Sequence, residues 1–113
     1  MHELALAQSI VELVQDQARR EAFVRVTAIR LSIGSLAHVD PRALEFGFDA
    51  VARGTVAEGA TLSIDRPAGT GFCMDCRKNV AIGARGEPCP SCGGSQWVLV
   101  GGDEMRVVDL EVE

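Results

Sequence analysis

The chain has 113 residues, of which 47% are hydrophobic and 24% are charged, and this indicates one small folded domain or a small domain carrying a smaller module. Sixteen acidic residues against eleven Lys and Arg give a net charge of -5, which argues against binding nucleic acid through phosphate neutralisation. No apolar run approaches the roughly 20 residues of a membrane span, and the start M-H-E-L-A lacks the basic region of a secretory signal.

Two helices are predicted in the first half of the chain. The first covers Leu4 to Arg20, where apolar residues at helical spacing form one stripe: Leu4, Ala7, Ile10, Val11, Val14 and Ala18. The second opens at Asp40-Pro41, with Asp40 as the N-cap and Pro41 at the first helical position, and Gly54 can terminate it. Its inner face is predicted to consist of Leu44, Phe48 and Val51.

Three main strands are predicted, at residues 24–33, 61–65 and 105–112, with a further short strand at 97–100. In the first, the alternation of apolar residues changes phase near Ala28, which indicates a bulge or a strand covered on both faces. In the second, Leu62 and Ile64 are predicted to face inward. The last strand alternates apolar and acidic residues, and its predicted inner residues are Val108, Leu110 and Val112.

Four cysteines form two C-x-x-C pairs with twelve residues between the pairs: Cys73, Cys76, Cys89 and Cys92. This spacing is typical of a tetrahedral zinc site. Four thiolates saturate the ion, so the site is predicted to be structural and not hydrolytic. A disulfide pair or a thioredoxin-like redox motif fits less well, because no signal peptide is seen and both pairs lie in a loop-rich stretch. Residues 67–96 are too few for a core, so zinc is expected to supply about 10 kcal/mol or more of folding free energy.

These patterns together predict an α+β fold, with two helices packed on a small three-stranded sheet and an inserted four-cysteine zinc-ribbon-like module. The main domain is assigned to residues 1–66 plus 97–113, and the zinc-binding domain to residues 67–96. Residues 103–113 have a local charge of -4, which is typical of the solvated face of an edge strand or of a docking surface for a basic partner. His38 lies in a predicted loop and is interpreted as a surface residue.

The amino terminus contains a set of potential metal ligands. A large residue at position 2 normally leaves Met1 in place, so the α-amine, the His2 amide and the His2 imidazole form two fused chelate rings. The amide of Glu3 or a carboxylate can supply a fourth donor, and such tetragonal nitrogen and oxygen sites suit Ni(II) or Cu(II). The alternative is a frayed terminus without metal, in which Glu3 only compensates the helix dipole and Asp40 is only an N-cap.

The combined pattern resembles the HypA/HybF family of nickel metallochaperones over essentially the full length. The resemblance is based on M-H-E-L, L-S-I-G, V-D-P-R-A-L-E-F-G-F-D, the two cysteine pairs and the acidic last strand. It implies a nickel-binding α+β domain joined to a zinc domain, with Ni(2+) and Zn(2+) as the bound metals. The nickel ligands it implies are Met1, His2 and Glu3, with Asp40 completing or approaching the site, and the zinc ligands are the four cysteines.

The resemblance also implies a cytoplasmic protein that is not an enzyme. Such a protein delivers Ni(II) during maturation of [NiFe]-hydrogenase and, in some organisms, urease. The partners it implies are a HypB-type GTPase and the [NiFe]-hydrogenase large subunit, with the chain itself a monomer or homodimer. The sequence has no G-x-x-x-x-G-K-[ST] loop, so any GTP energy must come from a partner. One departure is that the zinc module contains no His, so its coordination has less means to respond to pH.

Two other functions stay open at the level of sequence. A nucleic-acid-binding zinc ribbon predicts basic and aromatic residues near the cysteines, and only Arg77, Lys78, Arg85 and Trp97 qualify. A structural zinc-ribbon adaptor with an inert amino terminus predicts that nickel changes neither the spectra of the protein nor its affinity for partners.

Overall fold

The computed structural model describes residues 3–113, and within this range it contains two helices and six strands. They are α1 (Glu3–Glu21), β1 (Val26–Ile33), α2 (Pro41–Ala52), β2 (Thr61–Asp65), β3 (Gly69–Cys73), β4 (Asn79–Ile82), β5 (Trp97–Gly101) and β6 (Met105–Val112). The strands form two three-stranded sheets, ordered β2-β1-β6 and β4-β3-β5. The α+β class is confirmed. Neither helix of the described range is long and apolar enough to cross a bilayer.

The chain divides into two compact units. The first comprises the residues up to Leu31, Val39–Ile64 and Val107–Glu113, and the second comprises Ser32–His38 and Asp65–Arg106. The second unit is larger than the predicted 67–96 module because it also takes in β5 and the segment 32–38. The chain therefore passes from one unit to the other four times, after residues 31, 38, 64 and 106.

Helix α1 has the predicted apolar stripe with one correction. Its buried residues are Leu6, Ala7, Ile10, Val11, Val14 and Ala18. Leu4, which was predicted to be in the stripe, is 52% exposed, and Leu6 is buried instead. Leu4 lies beside α2 at Gly47, where a Cβ atom would be 3.5 Å from the Leu4 Cδ1 atom. This is ordinary van der Waals distance, so α1 and α2 are in contact here within the first unit.

Helix α2 begins as the sequence predicts. Asp40 is the N-cap, and its Oδ1 accepts hydrogen bonds from the backbone N–H groups of Arg42 at 3.0 Å and Ala43 at 3.5 Å. The helix ends at Ala52, and Gly54 follows with a φ of 75°. Of the predicted inner residues, Leu44 and Phe48 are buried and Val51 is half-buried.

The first sheet confirms the change of phase in β1 and corrects two details. The buried residues of β1 are Val26, Ile29, Leu31 and Ile33, so the buried set shifts from even to odd positions. Val24, predicted to be in this strand, precedes it and is 77% exposed. Val108 and Val112 were predicted to face inward but are 41% and 46% exposed, because β6 is an outer strand of its sheet and is covered less completely.

The second sheet has β3 at its centre, paired antiparallel with β4 and β5. Gly71 of β3 lies opposite Val80 and Leu99, and a Cβ atom there would lie 2.7 Å from the Trp97 ring. The pattern of the sequence did not predict β3 or β4, because both are short and lack a clear alternation of apolar residues. The predicted short strand near Trp97 is confirmed as β5.

Two arginines hold the segment 32–38 within the second unit. The Arg66 guanidinium donates to the carbonyls of Ile33 at 2.9 Å, Gly34 at 3.1 Å and Ala37 at 3.2 Å. Arg85, from the loop between the cysteine pairs, donates from Nε to the carbonyl of Leu36 at 2.7 Å. These bonds attach the carbonyl groups of a largely irregular segment to two side chains of the same unit.

Three glycines meet where three stretches of the second unit pass one another. A Cβ atom on Gly34 would overlap the carbonyl oxygen of Gly102, and a Cβ atom on Gly102 would overlap the Cα atom of Gly69. Gly102 also has a φ of 109°, which only glycine adopts readily. Backbone hydrogen bonds accompany this approach, from Gly34 N–H to the Glu104 carbonyl at 2.9 Å and from Leu36 N–H to the Gly102 carbonyl at 3.0 Å.

Candidate metal centres

The four cysteine side chains converge at one point of the second unit. Their Sγ atoms all lie within 4.8 Å of one another, with Cys73 to Cys92 at 3.6 Å and Cys76 to Cys89 at 3.8 Å. None of the four thiols is in a disulfide. Cys73 and Cys89 are buried, Cys76 is half-buried and Cys92 is exposed. The cluster therefore lies at the surface with two of its ligand atoms anchored in the interior.

Both cysteine pairs sit on turns with the same backbone hydrogen bonds. In each turn the N–H of the first cysteine donates to the carbonyl five residues later, at 2.9 Å and 2.8 Å. The carbonyl of that cysteine accepts from the N–H four residues later, at 2.7 Å and 2.8 Å. The residue after the second cysteine has positive φ in both turns, 56° at Arg77 and 75° at Gly93. This repeated turn aims both sulfurs of a pair in one direction.

Contacts between the two turns and their surroundings brace the cluster. The indole Nε1 of Trp97 in β5 donates to the carbonyl of Glu87 at 2.8 Å, two residues before the second pair. The Lys78 Nζ donates to the Ser91 Oγ at 3.3 Å, which joins the two turns directly. The sulfur positions are thus set by the sheet and by cross-turn hydrogen bonds.

The sulfur geometry fits a tetrahedral metal ion. A zinc ion about 2.3 Å from each sulfur requires sulfur–sulfur separations of about 3.8 Å, and the two measured pairs lie at 3.6 Å and 3.8 Å. Burial opposes ionisation of Cys89, but backbone N–H groups of Cys92 and Ser91 that donate to its sulfur lower its pKa to about 7. Burial raises the pKa of Cys76 to about 12, so a bound cation is needed to hold all four thiols as thiolates.

The second predicted site brings together the beginnings of both helices. The Glu3 Oε2 accepts a hydrogen bond from the backbone N–H of Asp40 at 3.1 Å. This bond, together with one from the Glu3 backbone, holds the pKa of the Glu3 carboxyl below its usual range. Of the predicted nickel ligands, Met1 and His2 lie outside the described residues. Glu3 and Asp40 are thirty-seven positions apart in the chain, and this bond joins them within the first unit.

The family resemblance implied that Asp40 completes or approaches the site of Glu3, and the hydrogen bond between the two residues is the detail that it did not give. Local sequence patterns show only that each residue stands at the start of a helix. Asp40 is exposed, so its carboxylate is open to solvent while one of its oxygens caps α2. Both residues can supply carboxylate oxygens to a metal ion, and the hydrogen bond between the Asp40 backbone and the Glu3 side chain holds them together.

Other predicted surface features lie where expected. His38 is exposed. All five acidic residues between 103 and 113 are exposed as well, and one of them, Asp109, pairs with Arg30 of the neighbouring strand. The nucleic-acid alternative loses two of its four candidate residues, because Arg85 and Trp97 are engaged with backbone carbonyls.

Comparisons with known proteins find one family over essentially the whole chain. Residues 1–112 match the sequence model of a family described as "Hydrogenase/urease nickel incorporation, metallochaperone, hypA". The chain is 52% identical over 113 residues to "Hydrogenase maturation factor HypA 2" of Bradyrhizobium diazoefficiens, with 100% of both chains covered. It is 49% identical over 113 residues to "Hydrogenase maturation factor HypA" of Methylocella silvestris, again over 100% of both.

The fold is also similar to a solved structure. The "Solution structure of the Ni metallochaperone HypA from Helicobacter pylori" has a TM-score of 0.67 at 21% identity. The match covers 99% of this chain and 97% of that one. At 21% identity this similarity supports the fold and not the function.

Proposed function

The chain belongs to the HypA family of hydrogenase and urease nickel-incorporation metallochaperones, and from that premise we propose that it captures Ni(II) and delivers it during maturation of [NiFe]-hydrogenase. The observation that carries the proposal is the hydrogen bond from the backbone N–H of Asp40 to the Glu3 carboxylate, which joins the starts of two helices at the residue that follows His2 in the sequence. In this proposal the chain is not an enzyme, and it transfers nickel to a site on another protein.

The proposed nickel ligands are Met1, His2, Glu3 and Asp40. Amine, amide and imidazole nitrogens from the first two residues suit a tetragonal Ni(II) ion, and a carboxylate completes the set. Asp40 is exposed and Glu3 is only half-buried, so a recipient can replace ligands one at a time. A surface site of this kind suits a cargo ion that must be both bound and released.

The proposed role of the cysteine cluster is to hold a structural Zn(2+). When bound, zinc cross-links the two turns and leaves no open coordination position. Its ligands are Cys73, Cys76, Cys89 and Cys92, whose sulfur separations support this assignment. The division of metal binding stays a prediction, with nickel on residues 1–66 plus 97–113 and zinc on residues 67–96.

The proposed partners are a HypB-type GTPase, which supplies nucleotide energy, and the hydrogenase large subunit, which receives the nickel. Urease is a second proposed recipient, and the proposed compartment is the cytoplasm. Family membership supports these assignments at the level of hydrogenase and urease maturation.

Titration of Ni(II) into the zinc-loaded chain, prepared to begin at Met1, is expected to give one nickel per chain. The His2→Ala variant is expected to lose at least about 100-fold in affinity, because it loses the imidazole nitrogen and the chelate ring that this nitrogen closes with the residue 2 amide. His38→Ala is the matched control and is expected to bind like the wild type, since His38 is exposed and is not a proposed ligand. Calorimetry measures all three, and an affinity unaffected by His2→Ala would detach the function from the amino terminus.

Delivery is tested in cells that lack this chain. Wild type is expected to restore hydrogenase activity at low nickel, whereas His2→Ala is expected to restore little activity while still binding the GTPase and the large subunit. Hydrogenase activity and the nickel content of the large subunit are measured together. Normal maturation with the nickel-deficient variant would rule out delivery and leave the adaptor function, in which partner binding alone suffices.

A further inference from the structure

Strand β5 of the second unit has one side without a neighbouring strand. It pairs with β3 and stands at the end of the sheet order β4-β3-β5. The Met74 N–H donates to the Gln96 carbonyl at 2.7 Å, so Gln96 directs its backbone groups towards β3. Because these directions alternate along an antiparallel strand, Val98 also faces β3, whereas Trp97 and Leu99 direct their N–H and C=O groups away from it. In the described part of the chain these four outward groups have no hydrogen-bond partner.

The side chains along this side of the sheet are apolar. Val98 is 53% exposed, Val100 is 58% exposed, and Leu99 between them is exposed as well. Phe72 lies opposite Val98 in the register, so the two share one face of the sheet, and the exposed Met74 follows two residues after Phe72. Consecutive exposed apolar residues of this kind are typical of a contact surface. We call these five side chains, with the outward backbone groups, the β5 edge.

The other edge strands of the described residues carry protection that β5 lacks. Edge strands are normally protected from pairing by charged residues, by proline or by short length. Strand β2 contains Asp65, and β6 contains three charged residues. Strand β4 has only four residues, and its Ile82 is buried. Strand β5 contains no charged residue and no proline, and its one irregularity is the register shift opposite Thr70 and Gly71. This edge is therefore open to pairing with another strand.

The charges next to the β5 edge indicate which strand fits it. Asp103 follows β5 by two residues and is exposed, and its carboxylate makes no hydrogen bond or ion pair with any described residue. Glu104 is also acidic, but it lines a cavity together with Arg106, which offsets its charge. Residues 93–96, which precede β5, carry no charge. A complementary strand therefore has apolar side chains and a basic residue at the end that lies beside Asp103.

We propose that the β5 edge docks an extended segment of another protein, which adds to the second sheet as a fourth strand antiparallel to β5. Antiparallel pairing is the more stable arrangement per residue, and it places the basic residue at the amino-terminal end of the segment, since β5 runs towards Asp103. Main-chain hydrogen bonds to Trp97 and Leu99 hold the segment, and side chains beside Val98 add apolar contact. A contact as long as β5, which has five residues, buries less than the ~1,200 Å² of a stable interface, so it is weak and reversible.

Titration of the full-length, zinc-loaded chain with the blocked peptide acetyl-K-V-T-V-T-V-amide tests the proposal. Trp97 fluorescence reports binding, because Trp97 is the one Trp of the chain and lies in β5. Amide hydrogen exchange locates the contact: the Leu99 N–H is expected to exchange at least about 10-fold more slowly with peptide bound, whereas the Val98 N–H, which already faces β3, changes less than about 2-fold. The reversed peptide acetyl-V-T-V-T-V-K-amide has the same composition and is expected to bind about 2- to 5-fold more weakly, the range of one exposed ion pair.

Two substitutions remove the proposed contacts one at a time, each with a matched control. Val98→Lys places a charge on the apolar face and is expected to weaken peptide binding at least about 10-fold. Val24→Lys makes the same change at an exposed valine of the first unit and is expected to bind like the wild type. Asp103→Asn is expected to remove the advantage of the first peptide over the reversed one, whereas Glu111→Gln, at an exposed carboxylate of β6, is expected to keep it. Circular dichroism and zinc content check that each variant is folded.

Three outcomes would overturn the proposal. A wild type with no change in fluorescence and no slower exchange at Leu99, up to the solubility limit of the peptide, leaves the edge without this occupant. Slower exchange confined to other strands places the peptide elsewhere on the chain. A wild type whose average mass doubles without peptide, together with a Val98→Lys variant that stays at 12.0 kDa, assigns the edge to a second copy of the chain. These measurements are made without nickel, so the failure of this proposal and the failure of the proposed function are distinguishable.

Discussion

Replacing Cys73 with serine, with no other change to the chain, is expected to abolish zinc retention and to unfold the second compact unit. Cys73 is fully buried at the end of the central strand β3, so its loss leaves three thiols around a weakened site and an unpaired hydroxyl in the interior. Structural zinc contributes on the order of 10 kcal/mol or more to folding. The small core of this unit cannot supply a comparable free energy of folding without the metal.

Zinc content and the fluorescence of Trp97 report the result directly. Trp97 is half-buried and hydrogen-bonded to the loop that leads to the second cysteine pair, so unfolding of this unit changes its environment. Wild type treated with a strong chelator should reach the same spectrum as Cys73→Ser. Ser95→Ala, a change at an exposed residue just after the second turn, serves as the control and should retain zinc. A Cys73→Ser protein with full zinc and native fluorescence would show that three ligands suffice.

Gly34→Ala is expected to destabilise the zinc-loaded protein by more than about 4 kcal/mol, a value reached only by severe defects. The added Cβ atom overlaps the carbonyl oxygen of Gly102, and backbone cannot rotate away as a flexible side chain can. Separating the two segments breaks the hydrogen bond from Gly34 N–H to Glu104 and the bond that the Gly102 carbonyl accepts from Leu36.

Gly86→Ala is the matched control for this change. Gly86 has a φ of 87° and open space around its Cα atom, whereas Gly34 is restricted by contact and not by its backbone angle. The control should cost only about 1–2 kcal/mol, the price of an L residue in the left-handed region. Urea unfolding of both variants gives the comparison. Equal losses at the two positions would refute a steric role for Gly34.

The sequence allowed prediction wherever a local pattern determines local structure. The cysteine spacing predicted that the four sulfurs lie together, because two tight turns with the same offset can aim their sulfurs at one point. Asp40 before Pro41 predicted the N-cap of α2, since short-range hydrogen bonding decides such positions. The apolar stripe of α1 was predicted except at its first turn, where helical spacing favoured Leu4 over Leu6.

Features that depend on distant segments were not predictable in the same way. Nothing local in the sequence indicates that Glu3 and Asp40 meet, and only the family resemblance placed them at one site. The clamp of Arg66 on three carbonyls depends on where an irregular segment passes. The glycine-rich strand β3 lacks alternation because its neighbours, above all the Trp97 ring, occupy the space of side chains.

Because the chain passes four times between its two compact units, the last part of the first unit is synthesised after the second unit. Strand β6, which completes the sheet β2-β1-β6, comes after every other helix and strand of the described residues. All four cysteines emerge before it, so the metal-binding turns are available while the first unit still lacks its outer strand. The proposed structural metal can therefore bind to the nascent chain before the unit proposed to carry nickel is complete.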